Sequence, residues 1–332
     1  MDIQTKYEPV LGLLETQIAI KFVKDRFEQE LATALNLTRV SAPLFVYANS
    51  GLNDYLNGFE RPVSFKALDF DEEIEIVHSL AKWKRTALQK YDFLPGTGLY
   101  TDMNAIRRDE NTDALHSLYV DQWDWEKVLL RSDRSFDYLE NVVKTIYKVI
   151  YKIGKEVEIK YPKLKCNLPD QIKMISTIEL ESLYPNLTSK ERENKITKEY
   201  GAVFLHQIGW PLSSGKPHDG RAPDYDDWKL NGDILVWDEE LNLALELSSM
   251  GIRVDENSLK EQVEFTKNLS KLDNDYAKGV LNKELPLTIG GGIGQSRLCM
   301  FFLKKRHIGE VQVSLWKQED IEKLKKENIN LL

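Results

Sequence analysis

Apolar residues recur at helical spacing in some stretches and in alternation in others, and the switch between the two periods lays out the chain. Leu14, Ile18, Phe22, Val23, Phe27, Leu31 and Leu35 share one face of a predicted helix over 13–35. The stretch 38–46 is β-rich, and Pro43 suits an edge or a strand start. Residues 49–62 are turn-rich and polar and read as a loop. Two short strands follow over 64–68 and 73–78, then a helix with Ser79 in a favourable N-cap position. An apolar strand ends in Arg107-Arg108-Asp109-Glu110. The next, over 115–122, sets Leu115, Ser117, Tyr119 and Asp121 against His116, Leu118, Val120 and Gln122.

Phe136, Leu139, Val143, Ile146, Ile150 and Ile153 mark a second long helix over 136–161. A strand over 168–177 and a short helix over 179–185 come next. The box Thr188-Ser-Lys-Glu191 caps a helix running toward Tyr200, before a strand over 202–208. Strands 231–237 and 243–253 are predicted to pair across a short turn, and polar helices cover 258–268 and 273–282. At the end, an apolar run meets Gly290, Gly291, Gly292 and Gly294. Arg297 then opens an amphipathic helix that buries Leu298, Phe301 and Phe302. Strands and helices are interspersed along the whole chain. No linker or repeat divides it, so one domain over 1–332 is expected.

The glycine density lets backbone approach something that a Cβ would block. A dinucleotide fingerprint would need glycine where Gln295 stands, and a phosphate loop needs Gly-Lys-Ser/Thr, so neither motif is present. Asp121-Gln122-Trp-Asp124-Trp places acids and an amide beside bulky aromatics, which is costly in a core unless the polar groups are paired, and points to a pocket wall. Between 218 and 228, Asp219, Asp224, Asp226 and Asp227 crowd one loop; a metal, an α-amino group or plain solvation would each relieve the repulsion. Glu246 interrupts apolar company between Ala244 and Ser248. Asp233 opens the facing strand, so both acids can reach one Mg²⁺, which takes one or two carboxylates plus phosphate oxygens. Asp54 reads from its own surroundings as a turn former. The five histidines lack ligand spacing.

Composition narrows the partners. Among 332 residues, 42% are hydrophobic and 30% charged, enough for a sizeable core. A formal charge of -8 argues against a sustained grip on nucleic acid, which needs a basic face. Cys166 and Cys299 form no C-x-x-C pair, the usage of a reducing compartment without structural zinc. The amino terminus has no long apolar core of a signal peptide, and no run approaches membrane-spanning length, so a soluble cytoplasmic protein is expected.

The long first helix with its proline-bearing strand, the strand–Arg107–strand unit, and the glycines followed by Arg297 resemble, in order, the three signature motifs of the class II aminoacyl-tRNA synthetase catalytic fold. That resemblance implies an α+β fold, an antiparallel β-sheet flanked by helices. One position departs from those motifs: the glutamate usual two residues after the arginine is Asp109 here, with Glu110 next. Within that fold, the strings 78–85, 115–126, 221–228, 230–237, 246–253 and 289–297 resemble the ammonia-dependent asparagine synthetases. The resemblance implies that aspartate and ATP form β-aspartyl-adenylate and pyrophosphate, and that ammonia then displaces AMP.

It also implies roles. Arg107, whose rigid fork suits phosphate oxygens, would stabilise the α-phosphate, and Arg297 would lie over adenine. Ser117, Val120, Leu247 and Gly292 would complete the nucleotide pocket, and Asp233 and Glu246 would hold Mg²⁺. Aspartate would meet Asp54, Ser79, Arg107, Gln122, Asp124, Asp226, Ser249 and Arg253. Of these, Arg253 suits the α-carboxylate, one or more of Asp124 and Asp226 the α-ammonium, and Asp54 the incoming ammonia or its proton. The first motif would make a homodimer. Neither cysteine has the setting of a glutamine-hydrolysing nucleophile, which makes free ammonia the expected donor. An aspartyl- or asparaginyl-tRNA synthetase paralogue would share the adenylation site, and a non-catalytic amino-acid sensor would share the fold.

Overall fold

The computed structural model describes residues 7–56 and 60–332; the part of the expected loop at 57–59 and the first six residues lie outside them. In chain order the elements are α1 (Leu13–Leu35), β1 (Leu37–Arg39), β2 (Phe45–Tyr47), β3 (Ser64–Phe65), β4 (Ile74–Ile76), α2 (Ala81–Lys90), β5 (Gly98–Ile106) and β6 (Tyr119–Val128). There follow α3 (Phe136–Lys160), β7 (Lys173–Ser176), α4 (Thr177–Leu183), α5 (Ser189–Tyr200), β8 (Ala202–His206), β9 (Asp226–Asp238) and β10 (Leu243–Arg253). The last are α6 (Glu256–Phe265), α7 (Asp275–Leu281), β11 (Thr288–Gly294), α8 (Gln295–Phe302) and α9 (Gln318–Lys326).

Eight strands form one sheet in the order β1-β5-β6-β11-β10-β9-β8-β7, and β2-β4-β3 form a second, smaller one. The six central strands from β5 to β8 are antiparallel throughout. The outermost pairs, β1 with β5 and β7 with β8, are parallel, so the expected antiparallel sheet is mixed at both edges. Each parallel pair is joined by a long connection that carries helices, as parallel pairing requires.

Period-two alternation along β6 divides the molecule. Trp123 and Trp125 are fully buried in the main core, where Phe27 of α1 packs on Trp123 at 4.7 Å between ring centroids. α3 and α8 complete that layer with Val143, Ile146, Ile150, Leu298 and Phe301. Gln122, Asp124 and Glu126 point to the opposite face, toward α2. A carboxylate-bearing strand face needs cations or a cavity over it, and this face has both.

Several elements differ from the sequence reading. The helix over 13–35 is present, but Leu14 and Ile18 lie outside the core and are exposed, and Thr16, Ala19 and Ile20 are buried instead. α1 therefore carries two apolar stripes, one inward and one outward. The expected strand over 38–46 is split at Ser41-Ala42-Pro43 into β1 and β2, which join different sheets. β6 begins at Tyr119 instead of Leu115, because Asp113 Oδ1 accepts from the backbone N–H groups of Leu115 and His116 and turns the chain there. The N-cap of α2 is Leu80 instead of Ser79. β9 starts at Asp226, five residues earlier than expected. The glycines of 290–294 do not follow a strand; they are the strand β11.

Candidate active site

β11 lies between β6 and β10, with Gly290 opposite Glu126, Gly292 opposite Asp124 and again opposite Ser249. A Cβ at Gly290 would stand 1.9 Å from Glu126 Oε2, and one at Gly292 would stand 2.3 Å from Gln122 Oε1. A Cβ at Gly291, on the other face, would meet Met250 Cβ at 2.6 Å. The glycines are thus clearance: they let polar side chains from both neighbouring strands fold over the middle of the sheet.

Above that clearance is a cavity of about 430 Å³, within the range of small-molecule sites. Asp54, Ser79, Arg107, Gln122, Asp124, Asp226, Ser249 and Arg253 line it. Ser117, Val120, Glu246, Leu247, Gly292 and Arg297 line it as well. Asp233 alone among the anticipated residues does not border it. It is buried on β9 and accepts a hydrogen bond from Arg221 Nη2.

At the inner end the charges are closed off from water. Arg253 donates to Glu126 through Nε and Nη2, at 3.0 and 2.7 Å, and through Nη1 to Asp226. Glu126 also accepts from Thr288 Oγ1 at 2.7 Å. Burial by itself would raise the Glu126 pKa, but the Arg253 guanidinium beside it holds it below the usual range. For Asp226, burial outweighs Arg253 and its pKa rises. Lys84 on α2 places its ammonium 2.9 Å from the Gly291 carbonyl, 3.3 Å from Asp124 and 3.9 Å from Glu126. Burial lowers its pKa, against the pull of Asp124. Asp124, Glu126 and Asp226 thus face Lys84 and Arg253, a pocket with one carboxylate more than it has cations.

Beside this end, Asp54 is buried on its loop. Oδ2 accepts from Ser79 Oγ at 3.0 Å and Oδ1 from the Leu56 N–H at 2.9 Å, with Leu56 held at φ 50°. Burial raises the Asp54 pKa, partly offset by Lys82. The same hydroxyl accepts from the Ala81 N–H at 3.4 Å, so Ser79 bonds to the start of α2 from the position before its N-cap.

The outer end is less saturated. The Arg107 guanidinium is about a quarter exposed, its nearest carboxylate is Glu110 at 4.0 Å, and its buried Nε has no hydrogen-bond partner among the described residues. Asp109, the other acid of that loop, is taken by Arg61 at 2.6 Å, so Glu110 is the one that serves the arginine. Arg297 projects from the first turn of α8, with Nη1 3.3 Å from the Glu246 carbonyl and 3.9 Å from its carboxylate. Asp233 Oδ1 has no partner among the described residues, and burial, with Glu246 and Asp219 adding repulsion, pushes its pKa up to about 7. A buried orphan carboxylate oxygen beside further carboxylates fits a cation. The structure gives one cation there already, Arg221, and among the described residues no three metal-ligating side chains cluster.

The crowded acids of 218–228 are resolved by pairing. Asp219 meets Arg221, Asp224 meets Lys82 and Lys271, Asp226 meets Arg253, and Asp227 meets Arg134. Three of the four acids are buried in these pairs and Asp219 stays largely exposed to solvent, and within the run Asp219, Tyr225 and Asp226 reach the cavity.

Sequence reasoning missed Lys84, Tyr225 and Gln312. Lys84 had a signal: Lys82, Lys84 and Arg85 fall on one short helix, too many cations for a face that the sheet covers. Gln312 had none. It reaches Ser117 Oγ, Ser296 Oγ at 3.1 Å and Asp121 Oδ1 at 3.4 Å from a segment without pattern. Asp121 in turn accepts from Lys24 of α1 at 2.9 Å.

Residues 14–328 match the model of the aspartate-ammonia ligase family. An aspartate–ammonia ligase of Bacillus cytotoxicus is 59% identical over 325 residues, covering 98% of this chain and 99% of the relative. One of Fusobacterium nucleatum is 59% identical over 326 residues, with the same coverage. Among solved structures, asparaginyl-tRNA synthetase of Entamoeba histolytica with asparaginyl-adenylate superposes with a TM-score of 0.65 at 15% identity, over 90% of this chain and 66% of that one. The Pyrococcus horikoshii enzyme gives 0.61 at 15%, over 91% and 70%. At such identity the synthetase likeness speaks for the fold: a class II synthetase-like α+β sheet flanked by helices.

Proposed function

The chain belongs to the aspartate–ammonia ligase family, and from that premise we propose how its cavity performs the reaction. The enzyme makes L-asparagine from L-aspartate and ammonia, using ATP. The observation that carries the assignment of the site is that one cavity collects cations at both ends of a carboxylate-rich wall.

Aspartate lies at the inner end. Its two carboxylates meet Arg253, Lys84 and Arg107, and its ammonium takes the negative surplus at Asp124 and Asp226, with Gln122 and Ser249 beside it. ATP occupies the outer end, its adenine against Arg297 and its ribose and phosphates along Ser117, Val120, Leu247 and Gly292. A β-carboxylate oxygen attacks the α-phosphorus, pyrophosphate leaves, and β-aspartyl-adenylate remains. Arg107, the least saturated guanidinium, faces the charge that develops on the α-phosphate. Ammonia then attacks the β-carbonyl carbon, AMP leaves with the bonding pair on its phosphate oxygen, and the nitrogen sheds a proton. Asp54, whose proton affinity burial has raised, accepts that proton.

Asp233 and Glu246 would hold Mg²⁺, which when bound neutralises phosphate oxygens. Free ammonia as donor agrees with the thiols: burial pushes Cys299 up to about 12 and raises Cys166, the reverse of an activated nucleophile. The chain works as one catalytic domain in the cytoplasm, where unpaired cysteines persist. It pairs with a second copy through the outward stripe of α1, where Leu13, Leu14 and Ile18 are exposed. Light scattering tests the pairing, with Leu14→Glu expected to shift dimer to monomer.

The decisive experiment measures AMP and asparagine from purified enzyme with ATP, Mg²⁺, aspartate and ammonium, with glutamine in parallel. Equal AMP and asparagine with ammonium, and little with glutamine, are expected. Pyrophosphate exchange without asparagine, even at high ammonium, would reject the ligase reading in favour of a synthetase paralogue.

A further inference from the structure

Asp54 and Leu56 border the catalytic cavity, whereas their neighbours Asn53 and Tyr55 turn away from it toward the small sheet. Asn53 is 2% exposed, and all four hydrogen-bonding positions of its side-chain amide are taken. Oδ1 accepts from the backbone N–H groups of Asp54 at 3.0 Å and His78 at 2.9 Å. Nδ2 donates to Glu75 Oε2 at 2.9 Å and to the Ile76 carbonyl at 3.4 Å. A backbone N–H only donates, so the amide stands one way round. The Asn53 carbonyl accepts from Lys82 Nζ at 3.4 Å. On the other side of Asp54, the Tyr55 hydroxyl donates to the two Glu75 oxygens, at 3.0 and 2.9 Å.

Glu75 therefore receives one donor from each residue flanking Asp54. It is buried at the middle of β4, the central strand of the small sheet, opposite Val46 and Ser64. Its hydrogen-bond partners among the described residues are both neutral. A buried carboxylate without a cation is costly, and an aliphatic side chain would serve the sheet at less cost. What the carboxylate adds is a strong acceptor that two donors can share. Asp54 is in turn held at its N–H by Asn53, at its carbonyl by His78 Nδ1 at 3.0 Å, and at its carboxylate by Ser79 and the Leu56 N–H. Neither Asn53 nor Glu75 lines the cavity, so their effect on the reaction has to pass through Asp54.

We propose that Asn53 and Glu75 are positioning residues for aminolysis: Glu75 braces the loop from the small sheet, and Asn53 sets Asp54 where the nitrogen sheds its proton. The inference rests on Asp54 as the proton acceptor. A general base works only within hydrogen-bond reach of the proton it takes, and a misplacement of about 1 Å costs on the order of 10²-fold. The small sheet thus serves the second half of the reaction, while the arginines of adenylation stand beside the large one.

Aspartate-dependent ATP–pyrophosphate exchange and asparagine formation at saturating ammonium are measured side by side in four variants. In Asn53→Ala and Glu75→Ala, amide formation is expected to fall about 10- to 100-fold, with exchange within a factor of about two. Glu75→Gln keeps an oxygen where Oε2 takes both donors and should recover most of the loss. Tyr55→Phe removes one donor without changing shape, for a drop of about threefold to tenfold. In an Asp54→Asn background, Glu75→Ala should cost less than about twofold more, because no acceptor remains to be placed. Equal losses of exchange and amide formation would overturn the inference, as would unchanged amide formation in both alanine variants. No recovery in Glu75→Gln, or a full further loss in the Asp54→Asn background, would overturn it too. If the alanine variants do not fold, Tyr55→Phe decides: a drop in amide formation alone supports the bracing, and an unchanged rate or a matching drop in exchange rejects it. Full amide formation in Asp54→Asn alone would instead remove the acceptor reading on which the inference rests.

Discussion

At the inner end of the cavity, Lys84, Glu126, Asp226 and Arg253 are almost closed to water, and each is within ion-pair reach of another member. At the outer end, Arg107 and Arg297 keep about a quarter of their side-chain surface open and meet no carboxylate closer than 3.9 Å. The inner charges are held by one another before any ligand arrives, so they bind with fixed geometry and little reorganisation. The outer charges are left for a ligand to satisfy, which suits the group that must meet phosphate as its charge shifts. One end is part of the fold's stability, and the other is almost free of it.

That contrast breaks first at Glu126. Glu126→Ala leaves Arg253 and Lys84 buried without their shared carboxylate, and the expected loss is about 3–5 kcal/mol of stability. Chemical denaturation measures it, and a loss under about 1 kcal/mol would show that the inner network is not a structural unit. The reverse pattern belongs to Arg107. Arg107→Ala should leave the denaturation midpoint almost unmoved and lower kcat for adenylation roughly 10²–10³-fold, the usual cost of removing one preorganised donor. Pyrophosphate exchange reads that step alone. A variant that unfolds without a drop in exchange per folded molecule would place Arg107 with the inner group.

Legibility in the sequence follows the same division. The outer arginines announce themselves, because Arg107 ends an apolar strand and Arg297 starts a helix after a run of glycines. The inner network is only half visible. Asp226 shows only as one of four acids crowding 218–228, and Glu126 lies past the strand read over 115–122; three cations on one short helix hint at Lys84, but nothing local reveals that the sheet covers it. The central sheet was legible because its strands are long and alternate. Its edges were not: the break at Pro43 and the parallel pairing of β1 with β5 and of β7 with β8 depend on partners far along the chain. The second stripe of α1 was misread for a related reason. Leu14 and Ile18 continue the apolar pattern, and periodicity cannot tell a face that meets the core from one that meets something else.

The glycines of β11 give a sharper test of which end needs clearance. Gly292→Ala would force a Cβ against Gln122 Oε1 and Asp124 Oδ1, at 2.3 and 2.7 Å in the present geometry. Both atoms end flexible side chains, so they shift instead of breaking the sheet, at a cost of about 1–3 kcal/mol. The KM for aspartate should then rise more than the KM for ATP, measured in the exchange assay with each substrate varied. Equal changes in both would mean that the glycine serves the nucleotide as much as the amino acid.

The smallest effect expected, and the most diagnostic, is at Asp54. Burial raises its pKa in the folded protein above the unfolded value near 3.9. A carboxyl shifted upward favours folding while it is protonated, so its contribution is complete below the unfolded value. That contribution is lost as pH rises through the folded one. Asparagine cannot ionise, and Asp54→Asn should therefore gain stability on the wild type as pH increases, by about 1 kcal/mol for each unit by which the native pKa is raised. Urea midpoints of both proteins at pH 4.5 and pH 8 measure the difference. The same variant should keep pyrophosphate exchange and lose most amide formation, since its adenylation machinery is intact and its proton acceptor is gone. A variant stabilised at neutral pH yet slow only in aminolysis would show that the fold tolerates a destabilising carboxylate at this position for the sake of the proton it removes. If the two midpoints differ equally at both pH values, Asp54 ionises as freely in the fold as in water, and the role of proton acceptor loses its physical basis.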